Sequence, residues 1–150
     1  MEKTAYAVTN AQPDLLEEID ACLLLIDTLQ ERWMPDLEHG DLQLANGRRC
    51  ILQITDYDGA VHSRLFEVTE VGVKVLPAEG DYNTLILAPI DSVARVLKGV
   101  LAGNRAAFSS EWAKGRARIV GNRKLHDGFV FSEIFGRLAD RIKSYRENGS

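Results

Sequence analysis

The sequence is poor in the residues on which metal binding, crosslinking and acid–base catalysis usually rest. Among its 150 residues are two cysteines, Cys22 and Cys50, and three histidines, His39, His62 and His126. The cysteines stand in apolar surroundings in different elements. They read as two buried thiols in a reducing compartment, with a disulfide or a metal pair as the alternative. No C-x-x-C or H-x-x-x-H spacing occurs, which argues against zinc. A nucleophile elbow of the form Gly-x-Ser-x-Gly is missing, as are a phosphate-binding loop and a dinucleotide fingerprint. Long apolar runs are missing too: the longest, Cys22 to Ile26, falls far short of the roughly 18 residues that suggest a membrane span. The segment Met1-Glu2-Lys3-Thr4 lacks the basic-then-apolar pattern of a secretory signal, so a cytoplasmic location is expected.

What remains is an ordinary globular composition, 45% hydrophobic and 27% charged, without repeats or low-complexity tracts. The length suits one domain over 1–150, with flexible ends expected at 1–12 and 146–150. The net charge of -4 is unevenly spread. Residues 1–104 carry 8 Lys/Arg against 17 Asp/Glu, whereas 105–150 carry 10 against 5. The basic third suits anionic lipid or nucleic acid, or it is a solvated face. Its aromatics are not interleaved with its cations as a base-stacking platform requires, which argues against nucleic acid.

Periodicity orders the elements. Pro13 followed by Asp14, Glu17 and Glu18 starts a helix over 13–34, and Pro35 ends it. Its stripe is Leu15, Ile19, Cys22, Ile26, Leu29 and Trp33. Leu23, Leu24 and Leu25 widen that stripe beyond what one core can cover, which points to a second contact such as a partner chain. Arg49–Thr55, the turn Asp58-Gly59 and Val61–Thr69 read as a hairpin. Val73–Leu76 and Thr84–Leu87 are further strands, and the short connections suggest antiparallel pairing. Ile90, Val93, Ala94, Leu97, Val100 and Leu101 return to helical spacing, stopped at Gly103. A short helix at 106–112, a strand at 115–121 and a helix over 127–145 close the chain. The carboxylates Glu17-Glu18 and Asp56/Asp58 have helix-dipole and turn explanations, His62 reads as an exposed or edge position and His126 as a surface residue at a helix start, so no catalytic residue is assigned.

On the strand beginning Gly115, Arg116 and Arg118 fall on one face, Ala117 and Ile119 on the other. The segment Gly115-Arg116-Ala117-Arg118-Ile119-Val120-Gly121-Asn122 resembles the Gly-Lys-x-Lys-(Ile/Val)-x-Gly-(Asp/Asn) segment of sterol-carrier-protein-2-like domains. Ala107-Phe108 is similar to the Ala-Phe pair that precedes it there. Val68–Val75, with its Gly72 turn, and Thr84–Leu87 followed by Ile90–Leu101 match the family's order of elements. The likeness runs in order through most of 14–145, with a longer spacer at Ser109–Ala113 and an unusually Leu-rich first helix. It implies an α+β fold: a roughly five-stranded, largely antiparallel sheet covered on one face by helices and enclosing an apolar cavity.

From this reading the chain is expected to be a non-catalytic binder and carrier of a lipid- or sterol-like molecule, without cofactor or metal. Leu97, Leu101, Phe108 and Trp112 are expected in one cavity wall, and Phe129, Phe131, Ile134, Phe135 and Leu138 in another, around roughly 300–1,000 Å³. Arg116, Arg118, Arg123 and Lys124 are expected to dock transiently on anionic membrane. The alternative is an interaction or scaffold module, accessory to lipid or quinone metabolism, that dimerises through its first helix.

Overall fold

A computed structural model describes residues 11–33, 47–69, 72–82, 84–120 and 126–148. For 11–14, 31–33, 72, 126–132 and 148 the description is of the backbone alone. The elements, in order, are α1 (Ala11–Trp33), β1 (Arg49–Thr55), β2 (Val61–Thr69), β3 (Gly72–Leu76), β4 (Thr84–Pro89), α2 (Ile90–Leu101), α3 (Ala107–Ala113), β5 (Arg118–Val120) and α4 (His126–Asn148).

The β1–β2 hairpin forms where the turn chemistry points. Gly59 takes φ +89°, a conformation that favours glycine. The Asp56 carboxylate accepts hydrogen bonds from the backbone N–H groups of Asp58 and Ala60. α2 stops at Gly103, φ +87°, where Asn104 N–H bonds Gly99 C=O and Gly103 N–H bonds Val100 C=O, the Schellman arrangement. At the end of the chain α4 runs on to Asn148, past the Tyr145 expected from the apolar stripe.

The five strands form one sheet in the order β3-β2-β1-β4-β5. Three of the four pairings are antiparallel, but β1 and β4 are parallel, Ile51 opposite Leu85 and Ile54 opposite Ala88. This corrects the expectation that a short connection joins β4 beside β3. Residues after Leu76 carry the chain past β2 and β1, and Gly80 packs against Arg49 on the way. The crossover leaves β3 as one edge and β5 as the other.

Alternation decides the faces. Cys50, Ile54, Phe66, Val68, Val73, Ile86 and Ala88 point inward to the helices and are buried in one core with Ile19, Ile26, Val100, Leu138 and Ile142. α2 lies centrally, against α1, α4 and α3 and against β1 and β4. Leu23 is buried, whereas Leu24 is 69% exposed and Leu25 48%.

Candidate functional site

The inward face of the sheet and the helices above it surround an apolar cavity. From the sheet come Cys50 and Leu52 of β1, Phe66 of β2, and Ile86 and Ala88 of β4. Above them α2 presents Ser92, Val93, Val96 and Leu97, and α1 presents Leu23. Phe108 of α3, Ala117 before β5, and Phe135 of α4 complete the lining. The surface facing the void is wholly apolar. About 60 Å³ is enclosed, and about 580 Å³ when all the space between lining atoms and the open mouth is included. The enclosed part is smaller than the roughly 300–1,000 Å³ of a typical ligand pocket, so a chain-like occupant requires side chains of the lining to move aside.

The sequence-derived wall residues separate under this geometry. Leu97, Phe108 and Phe135 line the void. Ile134 and Leu138 are buried in the core without lining it. Leu101 and Trp112 pack against the core from outside the cavity, Trp112 tilted against Phe108 at a ring separation of 6.2 Å. The side chains of Phe129 and Phe131 lie outside the described residues, as do Arg123 and Lys124. The strand expected over 115–121 is shorter, β5 beginning only at Arg118, so Arg116 and Ala117 lie in a bend before it. Ala117 is nonetheless buried in the cavity wall, and Arg116 and Arg118 are exposed, with no carboxylate bound to either among the described residues. Arg105 and Lys114, by contrast, approach carboxylates, Arg105 those of Glu133 and Asp140 and Lys114 that of Glu111.

Sequence reasoning missed the polar network behind this wall. Glu111 of α3 is buried. Ser92 Oγ donates to its Oε1 at 2.5 Å, and Arg95 Nη2 and Nε donate to its two oxygens at 3.1 and 3.2 Å. The Arg95 guanidinium foremost, with the Ser92 hydroxyl, holds the Glu111 carboxyl down at about 2. Its backbone carbonyl accepts from Arg116 and Ala117 N–H. One residue thus ties α2, α3 and the approach to β5 together around the cavity. Glu111 looks in sequence like any surface carboxylate of a short helix, and only the folding of α3 onto α2 shows its partners.

His62 Nε2 sits 2.9 Å from Asp56 Oδ2, a carboxylate already engaged by the hairpin turn. His39 lies outside the described residues, and of His126 only the backbone is described. The cysteines are both free thiols, Cys50 buried and Cys22 partly buried. Among the described residues no three His, Cys, Asp or Glu side chains are grouped to hold a metal ion, and no helix is long and apolar enough to cross a membrane.

Compared by sequence, the chain matches no family model and no curated protein. Compared by structure, it is similar to a UbiJ-SCP2 ubiquinone synthesis protein, with a TM-score of 0.51 and 19% identity over 85% of this chain and 96% of that one. It is similar also to sterol carrier protein domain 2 of Helicoverpa armigera, with a TM-score of 0.52 and 17% identity over 79% of this chain and 87% of that one. The chain therefore has a sterol-carrier-protein-2-like fold, as the Gly115–Asn122 segment suggested.

Proposed function

We propose that this chain binds a lipid-like molecule in its internal cavity and carries it without chemical change. The observation that carries the reading is the lining: residues from four helices and three strands, and the segment before β5, converge on one void and expose no polar surface to it. Apolar transfer alone supplies about 0.8 kcal/mol for each methylene buried, so a long chain reaches roughly micromolar affinity after ordering costs. The sterol-carrier-like fold supports the same reading, and the likeness to a ubiquinone synthesis protein adds polyprenyl quinone tails to acyl chains and sterols as ligands to test. In this account Arg116 and Arg118, with Arg123 and Lys124, touch anionic lipid while the ligand leaves. Native mass spectrometry of the protein purified from its host is expected to show co-purified apolar mass. Bare protein that also takes up no acyl chain, sterol or quinone saturably would contradict the reading.

A second reading rests on the exposure of Leu24 and Leu25. Ala21, Leu24, Leu25 and Thr28 form an uncharged outer face on α1, spaced as a helix-pairing surface is. In that reading the chain is an interaction module and pairs through this face with a second copy of itself, leaving the cavity as core.

A further inference from the structure

Beyond the cavity lining, the inward face of the sheet continues in polar side chains. Along the inward face of β2 the side chains read His62, Arg64, Phe66, Val68, polar at the hairpin and apolar at the other end. Arg64 stands directly across from Leu52, which lines the cavity. Leu52 lies on a strand flanked by β2 and β4, yet is only partly buried. Its cross-strand neighbour Arg64 is likewise only partly buried, so the two bound a less covered part of the inward face. The other border is α1: Leu23 lines the cavity, and Asp20 lies one turn before it. Asp20 and Arg64 meet there in a bidentate pair, Nε to Oδ1 and Nη2 to Oδ2, each at 2.9 Å. The Asp20 side chain is 49% exposed and the Arg64 side chain 23%. The neighbouring charges are engaged elsewhere: His62 with Asp56, and Lys98 of α2 with Glu18 of α1.

We propose that Arg64 is the headgroup site of the cavity and that its ligand is an amphiphile with an oxyanion head. The inference rests on the cavity-binding reading and adds the ligand's polarity and direction to it. A guanidinium accepts a carboxylate or phosphate in the same two-pronged geometry that it gives an aspartate. The head takes the place of Asp20, and the chain passes Leu52 toward Phe66 and Phe108. Asp20 then acts as a latch, holding Arg64 and closing α1 onto β2 in the absence of ligand.

The test compares matched alkyl chains ending in carboxylate, phosphate or hydroxyl, at about pH 8, where a carboxyl is ionised. Wild type is expected to bind at least one of the two anions roughly 10-fold more tightly than the alcohol, on the usual strength of charge-assisted bonds. Arg64→Gln should remove that preference, read within the variant as the ratio of anion to alcohol affinity. Asp20→Asn should increase it several-fold by freeing the guanidinium. The two variants break the same ion pair, so a purely structural tie between α1 and β2 moves both in one direction for all three ligands. That result, or a preference untouched by Arg64→Gln, overturns the assignment. Saturable uptake of the alcohol alone overturns the headgroup site and spares the cavity reading. Uptake of none of the three overturns both.

Discussion

Glu111 shows how one carboxylate can hold a cavity wall. Its partners, Arg95 and Ser92, keep it ionised well below the ordinary value of 4.5, at about 2. A carboxyl lowered by folding stabilises the fold above its ordinary value, and that contribution is lost as pH falls through the folded one. Glu111→Gln is therefore expected to destabilise the protein by about 2–3 kcal/mol near neutral pH, since it weakens the three charge-assisted bonds from Ser92 and Arg95. The difference between wild type and variant in urea unfolding should shrink between pH 4.5 and about 2. A difference constant over that range would remove Glu111 from the account. Residues of this kind were illegible in the sequence for a physical reason. Glu111 lies 19 positions from Ser92, and Arg64 lies 44 from Asp20. Neither pairing follows from the periodicity of a single element. What was legible was local: Ala117 is buried and Arg116 and Arg118 exposed as expected, although only Arg118 lies in the strand.

At the scale of elements, α1 works on two sides. Its inner side closes the edge of the sheet: the buried Gln30 donates from Nε2 to Val73 C=O and accepts at Oε1 from Val73 N–H, both at 2.8 Å. The side-chain amide takes the place of a neighbouring strand on β3, whose unpaired backbone would otherwise invite association. Gln30→Leu keeps the bulk and leaves both backbone groups without partners. An unfolding free energy lower by about 2–4 kcal/mol is expected, and equality with wild type in chemical denaturation would contradict the role. The outer side carries Leu24 and Leu25. Leu24→Glu should change stability by less than about 0.5 kcal/mol, as exposed substitutions do, while abolishing any self-association seen by light scattering. A wild type that stays monomeric at high concentration counts against pairing through this face. The order of helices and strands was legible from hydrophobic period, because each element's stripe records the face it buries. The parallel β1–β4 pairing was not, because connection length alone does not show that the chain crosses two strands before returning to the sheet. Leu101, Trp112, Ile134 and Leu138 lie in or against the core and not in the cavity lining for a related reason: apolar spacing marks burial without distinguishing core from cavity.

For the molecule as a whole, an apolar interior is combined with a basic C-terminal third on a chain of net charge -4. Exposed cations near an anionic leaflet contribute about 1 kcal/mol each. Changing Arg116 and Arg118 together to Gln should slow ligand transfer to anionic vesicles several-fold or more while leaving ligand affinity intact. Transfer indifferent to vesicle charge would reduce the arginines to a solvated face. The central claim is that the ligand occupies the void itself, and its most direct test is to fill that void. Ala117 is buried and lines the cavity, and Ala117→Leu adds carbon where only about 60 Å³ is enclosed. Ala88→Val offers a milder filling from the neighbouring strand β4, in the same wall, should the first variant not fold. The measurement is equilibrium titration of an environment-sensitive fatty-acid probe, with circular dichroism to establish that each variant is folded. Wild type is expected to bind saturably with a roughly micromolar Kd, and a folded, filled variant at least about 10-fold more weakly, the loss that accompanies 1.4 kcal/mol. A folded, filled variant that binds the probe as tightly as wild type would place the ligand elsewhere and contradict the account.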